Sequence, residues 1–325
     1  MIPVDDGALL GYKFIDLFCG IGGFHLALSS FGAECVFASD VDNNARKVYK
    51  LNYGLLPYGD ITKIKDEQIP AHDILCAGFP CQPFSISGNQ SGFDHPYGKL
   101  FYQIIRIAQY HHPQIILLEN VKNLSTHDDS KTIQEMRNEL ERIGYDVYDR
   151  ILIASDFGIP QARERLYFVA LNKELGIKYF SFPIGTKTSC CLSDILCDES
   201  DTYDVHVVRK HTMNKKPLHR KGLIQVARFG RGRQGERIYS PDGYSTTLSS
   251  QSGGLGGKTG MYLIDGTVRK LYPRECARLM GFPDYFQYAK DISVAYKQFG
   301  NSVVVDVLQY IVQNIISYIQ GEKHE

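Results

Sequence analysis

The sequence predicts an α/β protein: a doubly wound, mainly parallel sheet, with a second, smaller domain rich in loops and short strands. Three observations predict it. Residues 13–170 alternate short apolar runs with helix-period segments, the βαβ rhythm of a parallel sheet. From about residue 190 that rhythm fails, and eleven of the thirty glycines fall between Gly222 and Gly266. Regular helical spacing returns at Pro273. The expected boundaries are therefore 1–190 with 273–325 for the larger domain and 191–272 for the smaller.

Residues 13–18 read as the first strand and 22–31 as the following helix. The turn between them, Phe18-Cys19-Gly20-Ile21-Gly22-Gly23, could bind a nucleotide, but His25 stands where the third glycine of a GxGxxG fingerprint would be. Any tight strand-to-helix turn favours glycine, so the loop alone decides little. A second strand, 35–38, leads to Asp40, where a carboxylate reaches ribose hydroxyls. A helix follows over 43–51. Asp60, after a further turn, could accept a hydrogen bond from an adenine amino group. The glycine loop has no Lys or Arg to meet phosphate. A ligand with ribose and adenine but no phosphate suits these residues better than NAD or ATP, and S-adenosylmethionine is such a ligand.

The third strand, 73–79, runs into Gly78-Phe79-Pro80-Cys81-Gln82-Pro83-Phe84-Ser85. Pro80 and Pro83 fix their own φ and push Phe79 and Gln82 toward extended backbone. The thiol of Cys81 is thus expected on a stiff loop at a strand's C-terminal end, where open parallel sheets place their chemistry. Free cysteines more often act as small buried hydrophobes, the role expected of Cys19, Cys35, Cys76 and Cys276. A helix over 99–111 precedes a strand at 114–119, whose aliphatic run delivers Glu119. A buried glutamate is costly unless protonated or hydrogen-bonded, so this placement favours function. A helix at 131–143 and a strand at 165–171 complete the rhythm. Arg163 and Arg165 alternate ahead of that last strand and are expected on one side of it, unless they simply form surface ion pairs.

The formal net charge is zero, yet residues 205–260 hold eleven Lys and Arg against Glu236 and Asp242, a net of +9. The remainder carries −9. Such an imbalance is the footprint of a nucleic-acid contact, with a solvated charged face as the alternative. The stretches 230–237 and 249–254, including Ser249, Gln251, Gly253 and Gly254, read as loops able to approach DNA closely. After Pro273 a short helix is expected to stop near Gly281. A last helix is expected to start near Asn301-Ser302, both good caps, with an apolar stripe from Val303 to Ile319. The eight cysteines contain no CxxC pair, so no metal is expected. The acidic start lacks an apolar core segment, and the C-terminal apolar run is broken by polar residues. A cytoplasmic, membrane-free, monomeric protein is the expectation.

Five blocks occur in a telling order: Asp16 through Gly23, Pro80-Cys81-Gln82, Glu119-Asn120-Val121, Gln161 through Arg165, and Gln298 through Val303. In this, over essentially its whole length, the chain resembles the DNA (cytosine-5) methyltransferases. The resemblance implies a Rossmann-like, S-adenosylmethionine-dependent catalytic domain and a DNA-recognition domain. It implies methyl transfer to C5 of a cytosine flipped out of double-stranded DNA. On it, Cys81 adds to C6, Glu119 with a raised pKa protonates or hydrogen-bonds N3, and Arg163 and Arg165 hold the base and developing charge. Phe18, Gly20, Gly22, Asp40, Asp60, Pro80, Asn301 and Val303 match cofactor contacts. Ser87 and Gln234 match residues that fill the gap left by the flipped base, and Arg237 matches a guanine reader. GCGC is the implied site, and a restriction endonuclease the implied functional counterpart. Two departures stand out. Val41 stands where a member of the family has Trp, which should weaken cofactor binding by about 1 kcal/mol. Gln251 replaces a Tyr among the DNA-facing residues. The competing readings are an RNA cytosine-5 methyltransferase of the same fold, a catalytically silent DNA-binding protein and, least favoured, a dehydrogenase.

Overall fold

The structure is a computed structural model that describes residues 5–79, 100–186, 189–197, 205, 210–251 and 254–321, with Gln234 described in its backbone only. Two compact units form. One comprises Ile153–Arg163 and Gly185–Asp306, and the other the chain up to Leu152, Glu164–Ile184 and the residues from Val307 on.

The larger unit is built on β1 (Lys13–Leu17), α1 (Gly23–Ser29), β2 (Glu34–Ser39), α2 (Asn43–Tyr53), β3 (Ile74–Ala77), α3 (Leu100–His111), β4 (Ile115–Val121), α4 (Lys131–Arg142), β5 (Tyr145–Ile153) and β6 (Glu164–Asn172). Its six strands lie in the order β2-β1-β3-β4-β6-β5. The β1–β2, β1–β3 and β3–β4 pairs are parallel, whereas β4 and β6 run antiparallel, with Glu119 opposite Tyr167. The sheet is therefore mixed. Strand β5 is an addition to the elements expected from sequence, because its Tyr-Asp-Val-Tyr-Asp-Arg run sits half-buried at the edge and lacks a continuous apolar signature. Strand β3 is buried at all four residues and β4 at six of seven. Helices α3 and α4 cover the sheet with Phe101, Ile104, Ile107, Met136 and Leu140. Burying one such side chain contributes roughly 1.5–3 kcal/mol.

The smaller unit carries β7 (Thr212–Arg220), β8 (Leu223–Arg228), β9 (Arg237–Tyr239), β10 (Met261–Ile264) and β11 (Thr267–Arg269), ordered β11-β10-β9-β8-β7. One cluster at this sheet packs Ala227, Ile238, Met261 and Val268, flanked by Val226, Phe229 and Leu263. Helices α5 (Pro273–Arg278) and α6 (Ile292–Asn301) follow. Arg269 and Glu275 form a buried two-pronged ion pair at 2.8 Å on both prongs, and Glu275 also accepts from the Tyr272 N–H at 2.7 Å. That pair fixes the start of α5.

The last helix, α7 (Val305–Ile319), starts later than the caps at Asn301 and Ser302 suggest. Asn301 is the last residue of α6 and Ser302 its C-cap. The physical reason is local. The carbonyls of Gly300 and Ser302 accept hydrogen bonds from the Arg163 guanidinium and so are unavailable to a continuous helix. The stretch Ile292–Ile319 is long and apolar enough to cross a membrane, but 67% of its most apolar window is buried inside the protein, as for core helices.

Candidate active site

In the larger unit, the strand ends gather the sequence-predicted residues. Phe18, just past β1, has φ +56°, and Gly20 and Gly22 have φ +54° and +87°. The turn is thus three left-handed residues in five, and a non-glycine at such a φ is held there by its surroundings. Gly22 has no freedom to change: a Cβ would overlap the Tyr53 ring, whose hydroxyl donates to the Gly22 carbonyl at 2.8 Å. Gly20 differs, since among the described residues nothing lies within 4 Å of where its Cβ would be. Asp40 fastens the turn, one carboxylate oxygen accepting from the Gly20 N–H at 2.8 Å and the other from the Asp42 N–H at 2.7 Å. Asp42 in turn caps α2. The next side chain, Val41, is 74% exposed.

Asp60 accepts from both the N–H and the hydroxyl of Thr62, at 3.0 and 2.7 Å. The Thr62 hydroxyl, first among several bonds, holds its carboxyl below the usual range.

Glu119 sits near the end of β4, 8% exposed. Its Oε1 lies 3.1 Å from Nε of Arg165 on the neighbouring β6. The following residue, Asn120, is buried and donates to the carbonyl of Phe79 at 3.3 Å. That bond fastens the chain one residue before Pro80-Cys81. Pro80, Cys81 and Ser87 themselves lie outside the described residues, as does Gly253.

Arg163 and Arg165 take different partners. Arg163 is 2% exposed, and its guanidinium donates to the carbonyls of Leu248 at 3.0 Å, Ser302 at 2.6 Å and Gly300 at 3.4 Å. In the smaller unit it therefore ties the 248–250 loop to the end of α6. Gly300 completes the knot, because a Cβ there would overlap the backbone of Ser249 and Ser250. Gln161, wholly buried, adds a second tie by donating to the Leu279 carbonyl at 2.8 Å and accepting from the Leu248 N–H at 3.0 Å. Asn301 is exposed and Val303 buried beside this knot.

Of the predicted DNA-facing residues, Gln234, Arg237, Ser249, Gln251 and Gly254 are described and belong to the same unit. Gln234 lies in the short 3-10 turn Gln234–Glu236, and Arg237 begins β9 directly opposite Arg228. The Gly256 N–H donates to the Gly235 carbonyl at 2.9 Å, and a Cβ on Gly256 would come within 2.5 Å of that oxygen. This close approach joins the turn bearing Gln234 to the loop bearing Gly254. Ser249 is half-buried and Gln251 exposed.

A profile of the family described as C-5 cytosine-specific DNA methylase matches residues 12–317. The chain belongs to that family. It is thus a DNA cytosine-5 methyltransferase. The methylase is 46% identical over 318 residues to the Type II methyltransferase M.HhaI of Haemophilus parahaemolyticus, with 97% of each chain covered. It is 38% identical to the Type II methyltransferase M.HpaII of Haemophilus parainfluenzae, covering 92% of this chain and 87% of that one. Among solved structures it is similar to the Dnmt2 methyltransferase of S. pombe, with TM-score 0.71, 25% identity and coverage of 94% and 98%. It also shares its fold with EhMeth of Entamoeba histolytica, at TM-score 0.70, 21% identity and coverage of 97% and 99%.

Three residues of this methylase acquire roles that sequence reasoning did not give them. Asn120 and Gln161 stood inside recognised blocks but were silent, because their importance is a bond to a distant backbone. Asp16 is the third. It is fully buried on β1, and burial, reinforced by the nearby Asp40 charge, pushes its carboxyl well above the usual range. Its sequence signals were its place at the head of the first block and its position as an acid inside an otherwise apolar strand.

Proposed function

We propose that this methylase transfers a methyl group from S-adenosylmethionine to C5 of a cytosine flipped out of a short double-stranded DNA site, with GCGC as that site. It would act as the modification half of a restriction–modification system, as a cytoplasmic monomer without a metal, paired in function with an endonuclease but not bound to it. The observation that carries this reading is Glu119 beside Arg165 at the end of β4, with Asn120 fastening the chain that leads into Cys81.

The residues present fit the cofactor. Phe18, Gly20 and Gly22 shape a turn free of phosphate-binding cations, Asp40 stands at its edge, and Asp60 lies one turn on. Pro80, Asn301 and Val303 would complete the set. When bound, S-adenosylmethionine supplies an electrophilic methyl group. The chain's own groups would do the rest. The Cys81 thiolate adds to C6 of the extruded cytosine, forming an S–C bond and moving electron density toward N3 and C5. A proton on Glu119 at N3 stabilises that density, and Arg165 holds the Glu119 carboxyl in place. Arg163, which ties the 248–250 loop to the end of α6, would join Arg165 in holding the base and its developing charge. After methylation, loss of the C5 proton and departure of the Cys81 sulfur regenerate the thiolate.

For DNA recognition, Ser87 and Gln234 would occupy the vacated stack, and Arg237 would read a guanine. Ser249, Gln251, Gly253 and Gly254 would meet the backbone and neighbouring bases. The catalytic domain is proposed to span 1–190 and 273–325, with 191–272 as the recognition domain; the order β2-β1-β3-β4-β6-β5 supports only its doubly wound character. The deciding experiment incubates the protein with labelled S-adenosylmethionine and random-sequence duplex DNA, then maps 5-methylcytosine at base resolution. Label at C5 of one cytosine in GCGC supports the proposal. A different motif overturns the site, and label on tRNA in preference to duplex DNA overturns the substrate. A Cys81→Ser variant should bind DNA but transfer nothing.

A further inference from the structure

Strand β7 buries almost nothing. Eight of its nine residues are exposed, including Met213 and Leu218, and the hydrophobic cluster at its sheet draws no side chain from it. Backbone bonds to β8 hold it in place, so its side chains are free to serve something outside the protein. They are cationic. From Lys210 to Lys221 the sequence carries Lys210, Lys215, Lys216, Arg220 and Lys221, and no acidic residue occurs between 205 and 235. Neither Lys215 nor Lys216 has an ion-pair partner among the described residues.

The ladder also interrupts itself where two of these lysines stand. Met213 pairs with Ala227, but the next pair is Leu218 with Gln225, so five steps along β7 match two along β8. Lys215, Lys216 and Pro217 are thus thrown out of register as a bulge. Asn214 anchors the bulge by donating to the Gln225 carbonyl at 3.0 Å. A bulge re-aims side chains, and here it projects a lysine pair. Its position matters. Thr212 lies opposite Arg228, the residue from which the chain enters the turn bearing Arg231, Arg233 and Gln234. The bulge falls between the pairs Thr212–Arg228 and Leu218–Gln225, which lie three β8 residues apart, so it stands within about 10 Å of that end at the usual rise of a strand. Along one DNA strand this distance spans roughly three phosphates.

We infer that the Lys215-Lys216 bulge of β7 is a clamp for DNA backbone phosphates that flank the recognition sequence. The inference rests on the DNA reading above and adds to it a contact outside the site. Lysine suits the role as a point charge that accepts any phosphate without reading sequence. Lys and Pro on an edge strand also guard against strand-to-strand association, and the test separates the two roles.

The experiment compares the full-length protein with a Lys215→Gln/Lys216→Gln variant. Binding is measured against salt on a short duplex covering only the methylated site, and on one extended by a helical turn on each side. On the long duplex, the slope of log affinity against log salt should shrink by about 0.9 per lost contact, or about 1.8 for both. On the short duplex the variant should match the wild type, and methyl transfer at saturating DNA should keep its rate. Lys215→Arg/Lys216→Arg should restore the long-duplex slope. An unchanged slope on the long duplex overturns the clamp, and altered self-association alone would then assign the lysines to edge protection. Equal loss on both duplexes also overturns it, by moving the contact into the site. Failure of the wild type to bind either duplex would instead remove the DNA reading itself.

Discussion

Strands β3 and β4 bury nearly every side chain they have, whereas β7 buries almost none. The contrast separates two ways of making a functional surface. At the ends of the larger sheet, packing fixes each residue, so Glu119 and Asp40 are held by neighbours that cannot move without disturbing the core. In the smaller sheet the backbone ladder does the holding, and β7 side chains can vary while the strand persists. Chemistry that needs sub-ångström placement belongs on the first kind of strand, and sequence-tolerant contact with a polyanion on the second.

The contrast can be broken most severely at Glu119. Glu119→Gln should lower the methyl-transfer rate by about 10²–10⁴-fold while leaving DNA affinity near wild type, checked by single-turnover kinetics and binding side by side. Equal losses in both would mean that the buried strand end also governs recognition.

A pH signature should likewise sit on the buried side. His72 is buried, and its burial lowers its pKa to about 4 from 6.5. The unfolded chain binds the proton first as pH falls, so the stabilisation is complete above about 6.5 and is lost between there and about 4. The loss is about 3 kcal/mol at most. Thermal unfolding of the wild type should therefore drop more steeply over this window than that of His72→Gln, and parallel curves would refute the assignment.

Two glycines sharpen the comparison further. Gly22→Ala meets both a positive φ and the Tyr53 ring, and Gly256→Ala meets the Gly235 carbonyl. Strain of this kind costs on the order of 1–3 kcal/mol. Gly22→Ala should weaken S-adenosylmethionine binding and spare DNA, and Gly256→Ala should do the reverse, as calorimetry with each ligand would reveal. The smallest effect is expected at the exposed Val41. Val41→Trp should tighten cofactor binding by about 1 kcal/mol through stacking on adenine, and equal affinities would remove that role.

Much of the larger unit was legible because its strands are continuous apolar runs and its turns are marked by glycine. Cys81, Glu119 and Asp40 could be named because each follows such a run. Strand β5 and helix α6 were not legible. The first is a half-buried polar edge, and the second ends where a distant arginine captures its carbonyls.

Local order was written into the chain itself. Apolar runs, proline brackets and glycine turns state which segments become strands and which residues stand at their ends, since these depend on near neighbours. Only tertiary structure decided that Arg163 would knot a loop to a helix end, that Asn120 would grip the Phe79 carbonyl, and that Lys215 and Lys216 would stand out of register. Each of these is a bond or a pairing with a partner outside the segment itself, and a segment's periodicity carries no record of such partners.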